Sequence, residues 1–151
     1  RVRSSAASDV YKRQVEVLIV NETEAAALAA VPLDDAASAH RAAERLLVLG
    51  PRHVVVTLGA QGYLWCGGTA GADPTETLVG TPHAVRSVDA TAAGDAFCGA
   101  LAASLADELE MREALRWANA AGALAVTRLG ALPSLPRRAE VAALLAASPH
   151  E

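Results

Sequence analysis

Two aspartates six residues apart, Asp89 and Asp95, frame the stretch of this chain best equipped for chemistry, DATAAGDAF from Asp89 to Phe97. Ala92, Ala93 and Gly94 leave the backbone uncovered where the small-residue run passes into an Ala-rich helical pattern, so their N–H groups can point at a ligand. A helix N-terminus offers unpaired N–H donors and about half a positive elementary charge, which suits a phosphate. Asp95 falls in the first turn, beside that anion site. An aspartate there is ordinarily a cap. Next to a phosphate cradle it is also where a base for phosphoryl transfer would stand.

The elements needed to position this stretch are legible around it. Val15 to Val20, VEVLIV, reads as a short buried parallel strand, and Asn21-Glu22-Thr23-Glu24 follows at its C-terminal end, where α/β proteins place ligands. Asn21 is also a good cap for a helix over Glu22 to Ala30. The spacing predicts an amphipathic helix over Ala36 to Leu49, with Ala42, Leu46 and Leu47 inward and Arg41, Glu44 and Arg45 outward, closed by Gly50-Pro51. His53 to Thr57, HVVVT, is the next strand, and strand–helix–strand implies a right-handed crossover. Thr57-Leu58-Gly59-Ala60-Gln61-Gly62 turns into a strand over Tyr63 to Cys66, where Gly59 and Gly62 permit close backbone approach. Gly67 to Asp73 reads as a hairpin loop. Thr77 to Val79 and His83 to Val88 read as two further strands, the second leading into Asp89. Helices are expected from Gly94 to about Glu108, from Arg112 to about Val126 and from Arg138 to Ala147. The first two present small faces (Gly99, Ala102, Ala103; Ala118, Ala121, Gly122). His83 reads as a surface or packing residue, and Cys98 as a buried apolar filler.

At 151 residues the chain has one domain's length; 52% of it is hydrophobic but only 3% aromatic, so alanine and leucine must fill the core. A formal charge of -4 argues against nucleic-acid or anionic-membrane partners, and no apolar run reaches the roughly 20 residues of a membrane span. Cys66 and Cys98 lack metal-ligand spacing, which favours a reducing cytoplasm. Arg1 to Gln14 shows no hydrophobic period and is set aside from the fold as an unstructured or foreign leader.

DATAAGDAFCGAL resembles the second signature of the ribokinase family (PfkB-type carbohydrate kinases), with Ala90 in place of the usual Thr. Three further segments follow the family's order. NETE resembles its N-x-x-E motif, TLGAQG its T-x-G-x-x-G, and AVTRLGALPS (Ala125 to Ser134) its A-V-T-R-x-G-A-x-P-S. The resemblance implies a three-layer α/β/α sandwich with a mainly parallel sheet. It further implies transfer of the ATP γ-phosphoryl to a sugar hydroxyl, ribose first among the sugars. On it, Asp95 is the base and the N–H groups of Ala92, Ala93, Gly94 and Asp95 form the anion hole. Asn21 and Glu24 order magnesium through water, Glu22 being a lesser candidate. Thr57, Gly59 and Gly62 lie near the nucleotide phosphates and ribose, and Asn119 and Gly122 flank the adenine. Asp89, Thr91, Ala125, Arg128, Gly130 and Ser134 hold a monovalent cation such as potassium, mostly through backbone carbonyls. The partners implied are ATP and a small sugar, with a homodimer for the full-length parent.

The resemblance runs from Val15 to the end but matches only the C-terminal portion of a family member. The acceptor-contacting residues, the first glycine-rich signature and the small β lid have no counterpart. The chain is therefore expected to carry the nucleotide side and the base, and to be inactive alone. Other readings stay open: a nucleotide-binding fragment without turnover, or a relative acting on another sugar or a nucleoside. A Rossmann-type dinucleotide domain lacks its G-x-G-x-x-G after a strand, and a purely helical packing module leaves four ordered motifs to coincidence.

Overall fold

The computed structural model describes residues 15–68 and 74–148. The leader and most of the expected hairpin loop lie outside the described residues. Contacts divide the chain after Val79 into two compact units.

The first unit begins with β1 (Val17–Asn21), which passes directly into α1 (Glu22–Ala29). Asn21 caps that helix reciprocally: Glu24 N–H donates to Asn21 Oδ1 and Asn21 N–H donates to Glu24 Oε2, both at 2.9 Å. Ala30 then closes it in the left-handed conformation, φ 51°. α2 (Ala36–Val48) opens on a second capping box, in which Ser38 N–H donates to Asp35 Oδ1 at 2.7 Å. Its buried stripe is Ala39, Ala42, Ala43, Leu46 and Leu47, the i, i+3, i+4 pattern read from sequence. Arg45, from the opposite face, donates to the Ala29 carbonyl at 3.2 Å and so closes α1 from outside.

β2 (His53–Thr57) pairs in parallel with β1, Asn21 beside Thr57. After a short 3-10 turn at Gly59–Gln61, β3 (Tyr63–Gly68) returns antiparallel to β2, and β4 (Pro74–Gly80) completes the order β1-β2-β3-β4. Val54, Val55 and Val56 are fully buried, as a strand covered on both faces must be. β4 is longer than its expected core at Thr77 to Val79.

His53 is half-buried against Trp65, ring centroids 5.8 Å apart, and accepts the Trp65 Nε1–H at Nδ1 over 3.4 Å. Burial holds its pKa below the ordinary 6.5, partly opposed by Glu16. The folded state thus prefers the neutral ring, and its contribution to stability is present above the unfolded value and lost as pH falls through the folded one. Thermal stability is expected to decline between about pH 7 and pH 5, and less so in His53→Gln, as read by circular dichroism.

The second unit holds α3 (Ala93–Ala106), α4 (Met111–Ala125) and α5 (Arg138–Ala147). Ala96, Ala120, Ala121, Ala125 and Val141 form a core of small side chains with Trp117, Leu144 and Leu145 around it. The expected strand over His83 to Val88 is not one. Its last residue is tied to the residue that follows α4, Val88 N–H donating to the Val126 carbonyl at 2.7 Å, and just ahead of the run the Asn119 amide of α4 donates to the Thr81 carbonyl at 2.7 Å. The segment is anchored along and just past α4 instead of in a sheet. Cys98 also departs from expectation, since it is exposed, whereas Cys66 is buried.

Candidate active site

In the first unit the parallel register of β1 and β2 sets Asn21 and Thr57 side by side at the C-terminal ends of their strands. That is where α/β sheets present ligand-binding residues. Thr57 Oγ1–H donates weakly to the Val20 carbonyl, 3.4 Å away. Gly59 and Gly62 both take positive φ, 53° and 90°, so this turn requires glycine for its backbone path whatever approaches it. A Cβ at Gly59 would meet nothing within 4 Å, which leaves an open face there.

Asn21 and Glu24 are exposed and already engaged as the cap of α1. Each keeps one terminal atom, Asn21 Nδ2 and Glu24 Oε1, without a partner among the described residues. No group of three or more His, Cys, Asp or Glu side chains among the described residues has the arrangement of a metal site. Of the two terminal atoms Glu24 Oε1 is the acceptor, and it could take a hydrogen bond from the water shell that magnesium usually keeps, with Asn21 holding the carboxylate in place. Replacing Asn21 by Ala removes the cap and is expected to cost about 1 kcal/mol of stability, read by thermal unfolding.

In the second unit α3 begins without a side-chain cap, because its N-cap residue is Ala92. Ala93 N–H donates to the Ala90 carbonyl at 3.2 Å. Among the described residues the N–H groups of Ala92, Gly94 and Asp95 have no acceptor. Asp95 is exposed, and its carboxylate makes no hydrogen bond or ion pair among those residues. The capping role considered for it is not used here. Three donors and one free carboxylate thus share one helical turn, with Gly94 open on its outer side, where a Cβ would meet nothing within 4 Å. A groove of about 280 Å³ runs from Asp95 along Gly99 and Ala103 to Trp117, Arg138 and Val141.

Gly122 of α4 has a role that sequence spacing only hinted at. A Cβ there would lie 3.3 Å from the Ala93 carbonyl oxygen, so the glycine lets α4 touch the first turn of α3. Gly122→Ala gains about 1 kcal/mol of helix propensity and spends a similar amount on that contact. Unfolding should stay within about 1 kcal/mol of the parent while the first turn of α3 shifts, seen as moved amide resonances at Ala93 and Gly94. Asn119, the other residue read as flanking a base, is committed through its amide to Thr81.

The Asp89 carboxylate accepts three hydrogen bonds. Thr91 N–H (3.0 Å) and the Thr91 hydroxyl donate to Oδ1, and Gly130 N–H donates to Oδ2 at 2.9 Å. The Thr91 hydroxyl, then the Gly130 and Thr91 amides, hold its carboxyl below the usual carboxylate range. Ser134 is buried, and its hydroxyl donates to the Ala131 carbonyl at 2.7 Å. The Arg128 guanidinium pairs with Glu140, and the Ala125 carbonyl accepts Arg128 N–H at 3.2 Å. Among the described residues the carbonyls of Thr91, Arg128 and Gly130 accept no hydrogen bond. Of the six residues expected to hold a monovalent cation, Thr91, Arg128 and Gly130 thus offer open backbone oxygens, which suit a large, weakly hydrated ion; the Ala125 carbonyl, the Asp89 carboxylate and the Arg128 guanidinium have other partners.

Comparison with known proteins follows the same lines. A family model described as "pfkB family carbohydrate kinase" matches residues 3–138, beginning inside the segment set aside as a leader. Ribokinase of Haemophilus influenzae is 35% identical over 133 residues, covering 88% of this chain and 42% of its own length. Fructokinase-1 of rice is 41% identical over 100 residues, covering 61% and 29%. Among solved structures, Arabidopsis thaliana ribokinase complexed with ribose and ATP matches with a TM-score of 0.79 at 30% identity, over 91% of this chain and 43% of that one. An E. coli ribokinase II in complex with ATP and Mg2+ matches at 0.77 and 29%, over 94% and 42%. Escherichia coli phosphofructokinase-2 in complex with potassium matches at 0.78 and 27%, over 93% and 43%. The chain spans less than half the length of these relatives. No helix of the described residues is long and apolar enough to cross a membrane.

Proposed function

We propose, since this chain belongs to the pfkB family of carbohydrate kinases, that residues 15–151 carry the nucleotide-binding and catalytic part of an ATP-dependent sugar kinase, with ribose as acceptor. The observation that carries the reading is the first turn of α3: a free carboxylate at Asp95 beside unpaired N–H groups of Ala92, Gly94 and Asp95. Asp95 takes the proton from the acceptor hydroxyl as that oxygen attacks the γ-phosphorus, while the bond from that phosphorus to the β,γ-bridging oxygen breaks and ADP leaves with its electron pair. The unpaired N–H groups face the negative charge spread over the transferring phosphoryl oxygens. In the first unit Asn21 and Glu24 would hold magnesium through its water shell, and Thr57, Gly59 and Gly62 would line the nucleotide. When bound, magnesium would neutralise phosphate charge, and carbonyls of the 125–134 loop and of Thr91 would hold potassium beside the entry of α3. The free thiols Cys66 and Cys98 support a cytoplasmic setting.

Fructose is the second acceptor to test, because rice fructokinase-1 reaches 41% identity over 100 residues. The test is a Mg-ATP titration of the purified chain, with and without potassium, alongside Glu24→Gln and Gly94→Ala. Phosphoryl transfer to ribose and to fructose is then measured in a full-length parent. Gly94→Ala is the sharper probe, since the fold has room for the methyl while a bound phosphate would not. Binding weakened by about ten-fold with thermal stability no lower than the parent's is expected. Unweakened binding in Gly94→Ala would remove the phosphate cradle from the proposal.

A further inference from the structure

We propose that the Asp89 carboxylate is a positioning residue: it ties the entry of α3 to the 128–134 loop and so sets where the Gly94 and Asp95 N–H groups point. This deepens the reading of that turn as a phosphate cradle and rests on it. α3 has no side chain at its N-cap to fix its first turn, so the fixing must come from elsewhere. It comes from 41 residues away in sequence, where Gly130 N–H meets Asp89 Oδ2 at 2.9 Å. Gly130 stands at φ 86°, a conformation that a side chain would strain and that aims its amide at the carboxylate. Thr91 N–H and its hydroxyl fill Oδ1, which ties Asp89 to the turn immediately before Ala92. Val88 N–H and Asp89 N–H both donate to the Val126 carbonyl, at 2.7 and 3.1 Å, so backbone and side chain of one residue hold the same two segments. With three donors on its two oxygens, the carboxylate acts through the geometry it imposes.

Asn in place of Asp distinguishes this role from a ligand's. Its carbonyl oxygen can still accept from Thr91, but its NH2 group sets a donor against Gly130 N–H. In 15N-labelled chain, free of nucleotide and of potassium, Asp89→Asn is expected to speed exchange of the Gly130 amide by about ten-fold or more, the scale of a lost hydrogen bond to a charged group. The amide resonances of Gly94 and Asp95 should move with it, whereas Asp107→Asn, which breaks the Arg138 ion pair at the far end of α3, should leave them in place. Faster exchange at Gly130 with unmoved Gly94 and Asp95 resonances would overturn the positioning role, and so would unchanged Gly130 exchange. Should Asp89→Asn not fold, Thr91→Val, which removes only the hydroxyl donor, must reproduce the same shifts in smaller measure, and their absence overturns the proposal. No nucleotide enters the measurement, so its outcome is separate from whether the chain binds ATP.

Discussion

Asp95→Asn in a full-length parent should lower kcat by about 10²–10⁴-fold while Mg-ATP still binds with near-parental affinity. The carboxylate has no internal hydrogen bond or ion pair among the described residues, so its removal breaks nothing that holds the fold. Asparagine is nearly the same size and cannot accept the acceptor's proton at neutral pH. Loss of turnover with intact binding is the pattern of an interaction made in the transition state and not in the ground state. Near-normal turnover would remove Asp95 from the chemistry. A collapse of ATP binding together with kcat would make it a ligand-ordering group instead of a base.

Leu46→Ala is the second large effect, and it acts on the fold. Leu46 is fully buried in a cluster with Ala25, Ala42, Leu47, Val54, Val56 and Leu64. Truncation there is expected to cost about 2–5 kcal/mol, a transfer term plus the cavity left behind. Most neighbours in this cluster are alanine or valine, short side chains that cannot reach in to fill the gap. Thermal unfolding should show the loss, and amide exchange should place it in α1, α2, β2 and β3. Arg41→Ala, on the exposed face of the same helix, should lie within about 0.5 kcal/mol of the parent and serves as the control.

Much of this could be read from the residues. The helix phases of α2 and α4 and the strand at His53–Thr57 follow from local periodicity, which tertiary packing then confirmed. The candidate site was legible where a single stretch carries it, as DATAAGD does. NETE was legible twice over, as cap and as ligand, and the structure uses the cap. What the sequence did not reveal depends on partners distant along the chain. Nothing near Asp89 announces Gly130, and nothing near Asn119 announces Thr81. The alternating run at His83 to Val88 carries a strand's pattern, but its ends meet Ser148 and Val126, information absent from the run itself. Cysteine is usually buried, which reads Cys98 as filler, whereas the face of α3 that bears it is exposed.

The chain's two tryptophans fall one to each unit, and in opposite surroundings. Trp65 is 3% exposed beside His53, while Trp117 is half-buried under the Arg138 guanidinium, 5.3 Å from the ring centroid. The molecule therefore carries two intrinsic optical labels that need no engineering. Emission from the enclosed indole lies toward the blue and that from the more open one toward the red, so one denaturant series recorded at two wavelengths follows each unit separately. Coincident curves would mean that the units melt as one cooperative body, and separated curves that each half holds itself together.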